Sequence, residues 1–416
     1  MLKQKWVLLG LMLLLTSNVE AIKIPQEKKP QVKKKEVYKK AWEKTYGGVK
    51  DDDVAQGIVA LENGESAIVG TCKSFDAERT DICVSRMGAD GQMKWTILLG
   101  GKKEDEGKAI TRAADGNLFV LGMTKSLAKD YDRDIYVAKV SLEGKLLWQK
   151  AIGGNRDENP GGIAGTDDGG VMIVGDTESF GKRYRDIYIA KLSKEGKTVF
   201  ARTVGGKKTD EAHALTRMKD GNFALVGMRD TGTKNYEDFF VMKIDQNGKN
   251  LWAKTFGDYD DDSLESVTAT IDGGIVAVGK TRSYGSQQTD LTVMKFSSEG
   301  KILWHKIYGF KYYEYGNAVT MTADGGFMLA GGTSTLGKGS HSVYMLALDK
   351  NGSLVWSHVY GGDNRDIAHG MARLSDGSVV TVGQSESFTR YKGFYMIKVV
   401  PNCQVSPRYT IPKAIS

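Results

Sequence analysis

Short apolar or alternating segments, separated by polar turns, fill most of the chain and recur in the same order. In one well-defined copy, four such segments cover residues 107–114, 117–123, 134–140 and 145–152. Segments of this length bounded by glycine-containing turns are typical of β-strands. We therefore predict four strands in each copy, named A to D in chain order.

An aromatic residue in strand D marks seven copies of this unit. They recur every 52 or 53 residues, at Trp42, Trp95, Trp148, Phe200, Trp252, Trp304 and Trp356. A fixed period of this length indicates a unit that cannot bury its apolar face alone and stacks against its neighbours. Four-stranded sheets arranged radially form a β-propeller. The predicted fold is all-β, a propeller of seven blades over residues 37–400.

Glycine turns join the strands of each blade. Every A–B turn is an Asn-Gly or Asp-Gly pair, which supplies the positive backbone angle that a tight hairpin needs. The pairs begin at Asn63, Asp115, Asp168, Asp220, Asp272, Asp324 and Asp376. The C–D turn also contains a glycine, but six copies have it and Tyr38 stands at the equivalent position before Trp42.

The missing turn predicts how the ring closes. The first copy consists of strand D alone, at about residues 37–46, and the last copy ends after strand C, near Val400. We expect the N-terminal strand to pair with the last three strands. This pairing completes the seventh blade and closes the propeller.

The two ends of the chain indicate export. Residues 1–21 resemble a secretory signal peptide, with Lys3 and Lys5 before an apolar core that is too short to span a bilayer. An uncleaved anchor is the alternative. We expect a periplasmic or secreted protein, with residues 22–36 as a basic flexible linker and residues 401–416 as a C-terminal tail.

The net charge of +7 comes from the N-terminal region. Residues 1–40 hold ten lysines and three glutamates, so the remaining chain has equal numbers of basic and acidic residues. A neutral propeller is a poor partner for nucleic acid. The linker is interpreted as a solvated spacer, and weak contact with an anionic surface is the alternative.

Cysteine usage also suits an exported chain. Cys72 and Cys83 lie in one repeat, eleven residues apart, and Cys403 lies in the tail. Symmetric pairing of strands B and C about residues 77 and 78 would place the first two opposite each other. We expect a cross-strand disulfide between them.

The repeats resemble those of bacterial exported β-propeller proteins, whose units carry Trp-x-Lys-x-Tyr-Gly-Gly, Asp-Gly-Gly, Gly-x-Thr-x-Ser and Asp-x-Tyr motifs. The matching residues are 42–48, 279–283 and 134–139. The Gly-Lys-x-x-Trp element is also distantly similar to the docking motif of quinoprotein propellers, which have eight blades and vicinal cysteines. This chain has seven units and no Cys-Cys pair, so the resemblance implies a propeller and a secreted setting but no quinone chemistry.

A carboxylate stands ten residues before every A–B turn. The seven are Asp53, Asp105, Glu158, Asp210, Asp262, Glu314 and Asp366. Because strand A is innermost, we expect them at the mouth of the central channel, where an acidic ring could hold a cation or a basic ligand. In the alternative interpretation, which the repetition favours, each carboxylate accepts hydrogen bonds from backbone amides of its own Gly-Gly loop.

One further position in strand A changes from copy to copy. It is occupied by Gln56, Lys108, Gly161, His213, Glu265, Asn317 and His369. A metal shared by His213 and His369 is conceivable, but two isolated histidines without close spacing are weak evidence for one. We expect neither a metal nor a cofactor.

The loops between strands D and A and between B and C vary in length and are rich in tyrosine and arginine. Blade six replaces its Gly-Gly loop with a segment that contains Phe310, Tyr312, Tyr313 and Tyr315. Aromatic and arginine side chains on variable loops are typical of recognition surfaces. We predict a ligand site there, with Arg185 and Arg390 as charged contacts, and local packing is the alternative.

The sequence contains no recognisable catalytic motif. Our first hypothesis is a monomeric, non-enzymatic, extracytoplasmic binding or scaffold protein that recognises a protein or glycan partner through these loops. The alternative is a glycan hydrolase or lyase with paired carboxylates at the channel mouth.

Overall fold

The computed structural model describes residues 37–75, 79–129, 132–182, 184–232, 236–285 and 288–402, and the backbone of residues 20 and 21. The rest of the predicted signal peptide, the predicted linker and residues 403–416 lie outside the described residues. Within the described residues, no helix is long and apolar enough to cross a membrane.

The structure consists of strands and one 3-10 turn at Glu62–Gly64. The strands are β1 (Glu20–Ala21), β2 (Tyr38–Tyr46), β3 (Val54–Ala60), β4 (Ser66–Cys72), β5 (Asp81–Met87), β6 (Met93–Leu99), β7 (Asp105–Arg112), β8 (Leu118–Thr124), β9 (Asp134–Val140), β10 (Leu146–Ile152), β11 (Glu158–Gly165), β12 (Val171–Thr177), β13 (Asp186–Leu192), β14 (Thr198–Val204), β15 (Asp210–Arg217), β16 (Phe223–Asp230), β17 (Glu237–Ile244), β18 (Asn250–Phe256), β19 (Asp262–Ala269), β20 (Ile275–Thr281), β21 (Asp290–Phe296), β22 (Ile302–Tyr308), β23 (Glu314–Met321), β24 (Phe327–Thr333), β25 (Ser342–Leu348), β26 (Leu354–Tyr360), β27 (Asp366–Arg373), β28 (Val379–Ser385) and β29 (Gly393–Pro401).

These strands form seven antiparallel sheets, each with strands A to D in order. Blades one to six are β3–β6, β7–β10, β11–β14, β15–β18, β19–β22 and β23–β26, and blade seven is β27, β28, β29 and β2. The two-residue β1 adds in parallel to the outer edge of blade five, against Lys306 and Ile307. The fold is the predicted all-β, seven-bladed propeller.

The N-terminal strand closes the ring as predicted. Strand β2 pairs antiparallel with β29, from Tyr38 opposite Pro401 to Tyr46 opposite Phe394. The sheet order β2-β29-β28-β27 completes blade seven. Because β2 comes from the other end of the chain, this blade unites the two termini of the propeller.

Adjacent blades interlock through the strand-D aromatic. Trp148 Nε1 donates a hydrogen bond to Lys194 O of the next blade at 3.0 Å. Its ring packs against Gly196 of the same C–D turn, where an added Cβ would lie 3.0 Å from the indole. Gly196 has a φ of +80°, so both the turn and the ring require glycine there.

The same contact explains Tyr38 at the closure. Blade seven has no C–D turn, and the Tyr38 ring packs against Trp356 with centroids 5.7 Å apart. An aromatic side chain therefore covers the Trp where the other blades use a glycine turn.

A disulfide joins Cys72 of β4 and Cys83 of β5, and both side chains are fully buried. The two residues are diagonal neighbours, because Cys72 pairs with Asp81 and Gly70 pairs with Cys83. The disulfide matches the prediction, but the expected pairing about residues 77 and 78 was wrong by two residues. The last residue of β4, Cys72, lies opposite the first residue of β5. The same pairing of strand ends occurs in blade two, where Thr124 lies opposite Asp134. The register therefore follows the ends of the strands.

The face of the ring that carries the D–A and B–C loops, such as residues 309–313 and 386–392, is called the upper face below. The opposite, lower face carries the A–B and C–D turns. Strands A begin at the upper face and line the axis of the ring. Strands D form the partly exposed perimeter, whereas strands B and C of blades two and three are buried throughout.

We predict that deletion of residues 37–46 destabilises the whole propeller. Blade seven would lose its outer strand, and β29 would become a long exposed edge. Thermal unfolding and light scattering should show a large drop in melting temperature and aggregation. A chain without residues 403–416 is the control, and an unchanged melting temperature after the first deletion would contradict this account of closure.

Replacement of Cys72 and Cys83 by serine should lower the free energy of unfolding by about 2–3 kcal/mol, because the bond closes a short loop in the unfolded chain. Denaturant unfolding in a Cys403→Ser background would measure the loss. Mass spectrometry that finds both thiols free in protein produced under oxidising conditions would overturn the disulfide.

Candidate functional site

The innermost strand of every blade contains a β-bulge at the same place. In blade two, Gly107 pairs with Gly122 and Ala109 with Leu121, so Lys108 between them has no partner on β8. A bulge leaves one extra residue unpaired and re-aims its side chain. The skipped residues in the seven blades are Gln56, Lys108, Gly161, His213, Glu265, Asn317 and His369.

These bulge residues line a central cavity of about 720 Å³. Six polar or aromatic residues from the upper loops and strand ends of blades five to seven also line the cavity: Lys280, Thr289, Tyr313, Tyr315, His341 and Arg365. Ligand pockets usually measure roughly 300–1,000 Å³, so the cavity has the size of a small-molecule site. It extends from the axis of the ring towards the upper face.

One wall of the cavity holds His213 between two carboxylates. Nε2 donates to Glu211 Oε2 at 3.2 Å, and Nδ1 lies 3.1 Å from Leu264 O and 3.3 Å from Glu265 Oε2. Both ring nitrogens face acceptors, as expected for a doubly protonated imidazolium. Burial opposes the charge, but the carboxylates outweigh it and raise the pKa of His213 to about 10.

The cations of this wall keep its carboxylates ionised. Burial acts to raise the pKa of Glu265, but His213 and Lys280, whose Nζ lies 3.6 Å away, hold that pKa well below its usual range. Burial also acts on Glu211, and there His213 and Arg185 lower the pKa. Arg185 Nη1 lies 2.9 Å from Glu211 Oε1. The protein itself therefore compensates the negative charge of this wall.

Arg185 belongs to this network and not to the surface near blade six. Its Nε also lies 3.1 Å from Glu178 Oε1 and 3.8 Å from Asp176 Oδ2. Burial raises the pKa of Asp176 to about 6. Arg185 lies in the B–C loop of blade three, separated from blade six by blades four and five, which corrects its predicted place. Loop sequence alone does not show which loops of a ring are neighbours.

The opposite part of the wall is basic. Lys108 and Arg365 have exposed side chains. Burial and both cations lower the pKa of His369 to about 4, although its Nε2 lies 3.4 Å from Gln384 Oε1. The cavity is therefore asymmetric, with an internally paired acidic side and a basic side.

The seven carboxylates predicted to form an acidic ring are fully buried and lie outside the cavity lining. In blade one, Asp53 accepts hydrogen bonds from Gly48 N and Lys73 N, both at 2.8 Å. The corresponding D–A loop amide donates to the carboxylate in the other blades except blade five. There Asp262 accepts from Thr281 Oγ1 at 2.5 Å and from Ser283 N at 3.4 Å.

The expected open acidic ring is thus corrected: these side chains turn beneath the loops and hold them, as the alternative interpretation proposed. The physical reason is that strand A begins at the carboxylate. Its side chain therefore lies under the D–A and B–C loops, where backbone N–H groups need acceptors.

The four blade-six aromatics have different environments. Phe310 is partly buried and packs against Tyr344, with ring centroids 6.2 Å apart. Tyr315 lines the cavity beside His341, at 6.2 Å between centroids. Tyr312 and Tyr313 are 45% and 43% exposed, and Tyr313 also lines the cavity. Local packing therefore describes Phe310, whereas Tyr312 and Tyr313 are available at the rim.

Arg390 lies in the B–C loop of blade seven, next to blade six. Its guanidinium carbon is 5.4 Å from the centroid of the Tyr391 ring. Tyr391 is 38% exposed, so the pair adds to the upper face outside the cavity lining.

His213 and His369 lie three blades apart, and both nitrogens of His213 already face protein acceptors. Among the described residues, no group of three or more His, Cys, Asp and Glu side chains could hold a metal ion.

The fold resembles solved structures, whereas the sequence matches no family model and no curated protein. Virginiamycin B lyase from Staphylococcus aureus, in a catalytically inactive form with quinupristin, matches with a TM-score of 0.56 and 14% identity over 88% of this chain and 100% of that chain.

Two further solved structures also match. BBS1N in complex with ARL6DN gives a TM-score of 0.52 and 11% identity over 88% of this chain and 98% of that chain. The WD40 domain of Pan2 from Neurospora crassa matches with a TM-score of 0.51 and 9% identity over 83% of this chain and 88% of that chain. At such identities the similarity shows the propeller fold alone. Because a lyase and a WD40 domain share this fold, it does not decide between catalysis and binding.

We predict that His213 stays protonated at pH 8, whereas His369 stays neutral down to about pH 5. The raised pKa of His213 means that its stabilising effect is complete below its ordinary value of 6.5 and is lost as the pH rises through about 10. Histidine NMR titration would measure both groups. His213→Gln should remove the extra fall in melting temperature between pH 7 and 10, and equal pH profiles would contradict the assignment.

Proposed function

We propose that the protein is an extracytoplasmic binding protein that recognises a protein or glycan partner through the upper face of the propeller, with the central cavity as its ligand pocket. One observation carries the proposal. The bulge geometry is the same in all seven blades, whereas the side chains it presents are chemically different. A repeated scaffold that presents non-repeated side chains is the expected arrangement of a site grafted onto a fold.

The upper face provides the second support. Tyr312 and Tyr313 lie at the rim, and Phe388 and Tyr391 of blade seven are also exposed there, at 48% and 38%. Tyrosines on loops held by a rigid ring are common anchors of binding interfaces. The surface lies next to the cavity, so one partner can contact both.

Binding fits the carboxylates of the cavity better than glycan hydrolysis does. A glycosidase needs one carboxylic acid with a raised pKa and a second ionised carboxylate. The pKa of Glu265 in the cavity wall and that of Glu211 behind it are both lowered, and both groups are paired with cations. Asp176, whose pKa burial raises to about 6, lies outside the cavity lining. The seven strand-A carboxylates are buried under loops.

The proposed export rests on the N-terminal sequence and on the Cys72–Cys83 disulfide. Disulfides form and persist in oxidising compartments such as the periplasm or the exterior of the cell. Fractionation of the native host with an antibody to the propeller would test the location, and a cytosolic product would refute it.

Combined replacement of Tyr312 and Tyr313 by alanine should weaken partner binding by about 2 kcal/mol or more, because exposed aromatic anchors contribute most to such interfaces. A glycan array and a pull-down with the full chain would supply the partner, and titration calorimetry would measure affinity. The matched control is Glu299→Ala with Lys301→Ala on the lower face. Equal affinity of both double variants would place the site elsewhere.

A further inference from the structure

In the part of the chain that the structure describes, the charged side chains on the acidic side of the cavity form ion pairs with other protein groups, whereas those on the basic side do not. Glu211 and Glu265 are neutralised by His213, Arg185 and Lys280, as described above. Among the described residues, neither Lys108 nor Arg365 forms an ion pair with a carboxylate within 4 Å. The cavity therefore contains two cations whose charge the surrounding protein leaves unmatched.

The two cations act on the same part of the cavity. Arg365 immediately precedes β27, the inner strand of blade seven, and Lys108 is the bulge residue of blade two. Burial lowers the pKa of His369, and both cations lower it further. Blade one separates the two blades and contributes the uncharged Gln56 to this wall. Both cations would therefore attract an anionic group bound in this part of the cavity.

The surrounding groups are neutral and able to form hydrogen bonds. Burial raises the pKa of the Tyr315 hydroxyl, whereas the nearby Arg365 acts to lower it. A backbone bridge joins Arg365 to His341. His341 Nδ1 is buried and has no hydrogen-bond partner in the described part of the chain, which is costly unless a ligand or water supplies one. Burial and Arg365 both lower the pKa of His341, which favours the uncharged form of its ring.

The rim adds an apolar contact. Tyr313 lines the same cavity and exposes 43% of its surface, close in sequence to Tyr315. A tyrosine ring at the edge of a polar pocket offers a flat apolar face to a ligand ring. An arginine paired with a lysine suits carboxylate and phosphate groups, since the guanidinium can bind two oxygens at once.

We propose that Lys108 and Arg365 form an anion subsite in the central cavity, which binds the carboxylate or phosphate group of an acidic sugar whose ring packs on Tyr313. This inference rests on the proposed function and names the class of ligand. His341 and the Tyr315 hydroxyl orient the anionic group.

The test uses the full chain and defined probes. Calorimetry would titrate it with glucuronate, glucose 6-phosphate, glucose and inorganic phosphate. We expect saturable binding of at least one acidic sugar, weaker binding of inorganic phosphate and none of glucose. Affinity should fall with added salt, because the cations are exposed to solvent. Comparison of glucuronate with glucose 6-phosphate tells a carboxylate ligand from a phosphate ligand.

The variant Lys108→Gln with Arg365→Gln should lower the affinity at least tenfold, whereas Lys301→Gln with Lys350→Gln on the lower face should leave it unchanged. Bound anion should also raise the pKa of His341 and His369, which NMR would detect in the unaltered protein. Absence of saturable binding by both acidic sugars, or equal affinity in the two double variants, overturns the subsite.

The outcome also separates this inference from the proposed function. If the acidic sugars do not bind but the Tyr312 and Tyr313 variant still loses its partner, the anion subsite is wrong and the binding face stands. If the sugars bind through Lys108 and Arg365 but the tyrosine variant keeps its partner, the cavity and the partner surface are distinct.

Discussion

Each blade can bury its apolar faces only against its two neighbours, so the stability of every blade depends on closure of the ring. The core clusters follow this rule, since Val69 and Val84 of blade one pack with Val120 and Tyr136 of blade two. The pairing of β2 with β29 supplies the last neighbour. Stability is therefore a property of the whole ring and is expected to be cooperative across the blades.

The same constraint separates scaffold from chemistry. Blade–blade contacts demand identical parts, such as the Trp148 and Gly196 pair, and these parts repeat around the ring. The bulge side chain of strand A faces the axial cavity and contacts the next blade only along its innermost strand, as His213 does at Leu264 O and Asn317 at Ala368 O. Side chains of different chemistry therefore fit there, and the position is free to vary. At Gly161 even this freedom is limited, because a Cβ there would lie 1.8 Å from Ala212 O of blade four. The cavity wall therefore owes its asymmetry to the few positions that blade packing does not control.

The fold could be predicted because its determinants are local. Glycine pairs, strand length and the aromatic period repeat seven times, and the absent turn before Trp42 predicted the closure. The pairing of Cys72 with Cys83 was also predictable. The register of the two strands that carry them was not, because it depends on where the strands end, and the sequence of the loop between them does not define those ends. The hydrogen bonds of Asp53 to backbone amides were foreseen as the alternative that the repetition favours. Its burial away from the channel was not, because the direction of its side chain depends on where strand A begins.

The candidate site was predictable only in outline. The variation from Gln56 to His369 at one repeat position was visible in the sequence, and it coincides with the bulge. The network of Glu211, His213 and Glu265 was missed, because a residue two places before the bulge and a bulge residue of the next blade meet only in three dimensions. Spacing within one repeat carries no information about such contacts between blades.

The antiparallel pairing of β2 and β29 also sets the orientation of the molecule. Val37 and Asn402 lie side by side on the lower face, joined by a hydrogen bond of 2.9 Å from Asn402 N to Val37 O. A domain fused directly to residue 37 or to residue 402 would leave the ring from this one point, behind the cavity. The mouth of the cavity would then point away from that domain. New termini cut into a lower-face turn and a short link between the old ones would yield a circular permutant with the same ring and a different point of attachment.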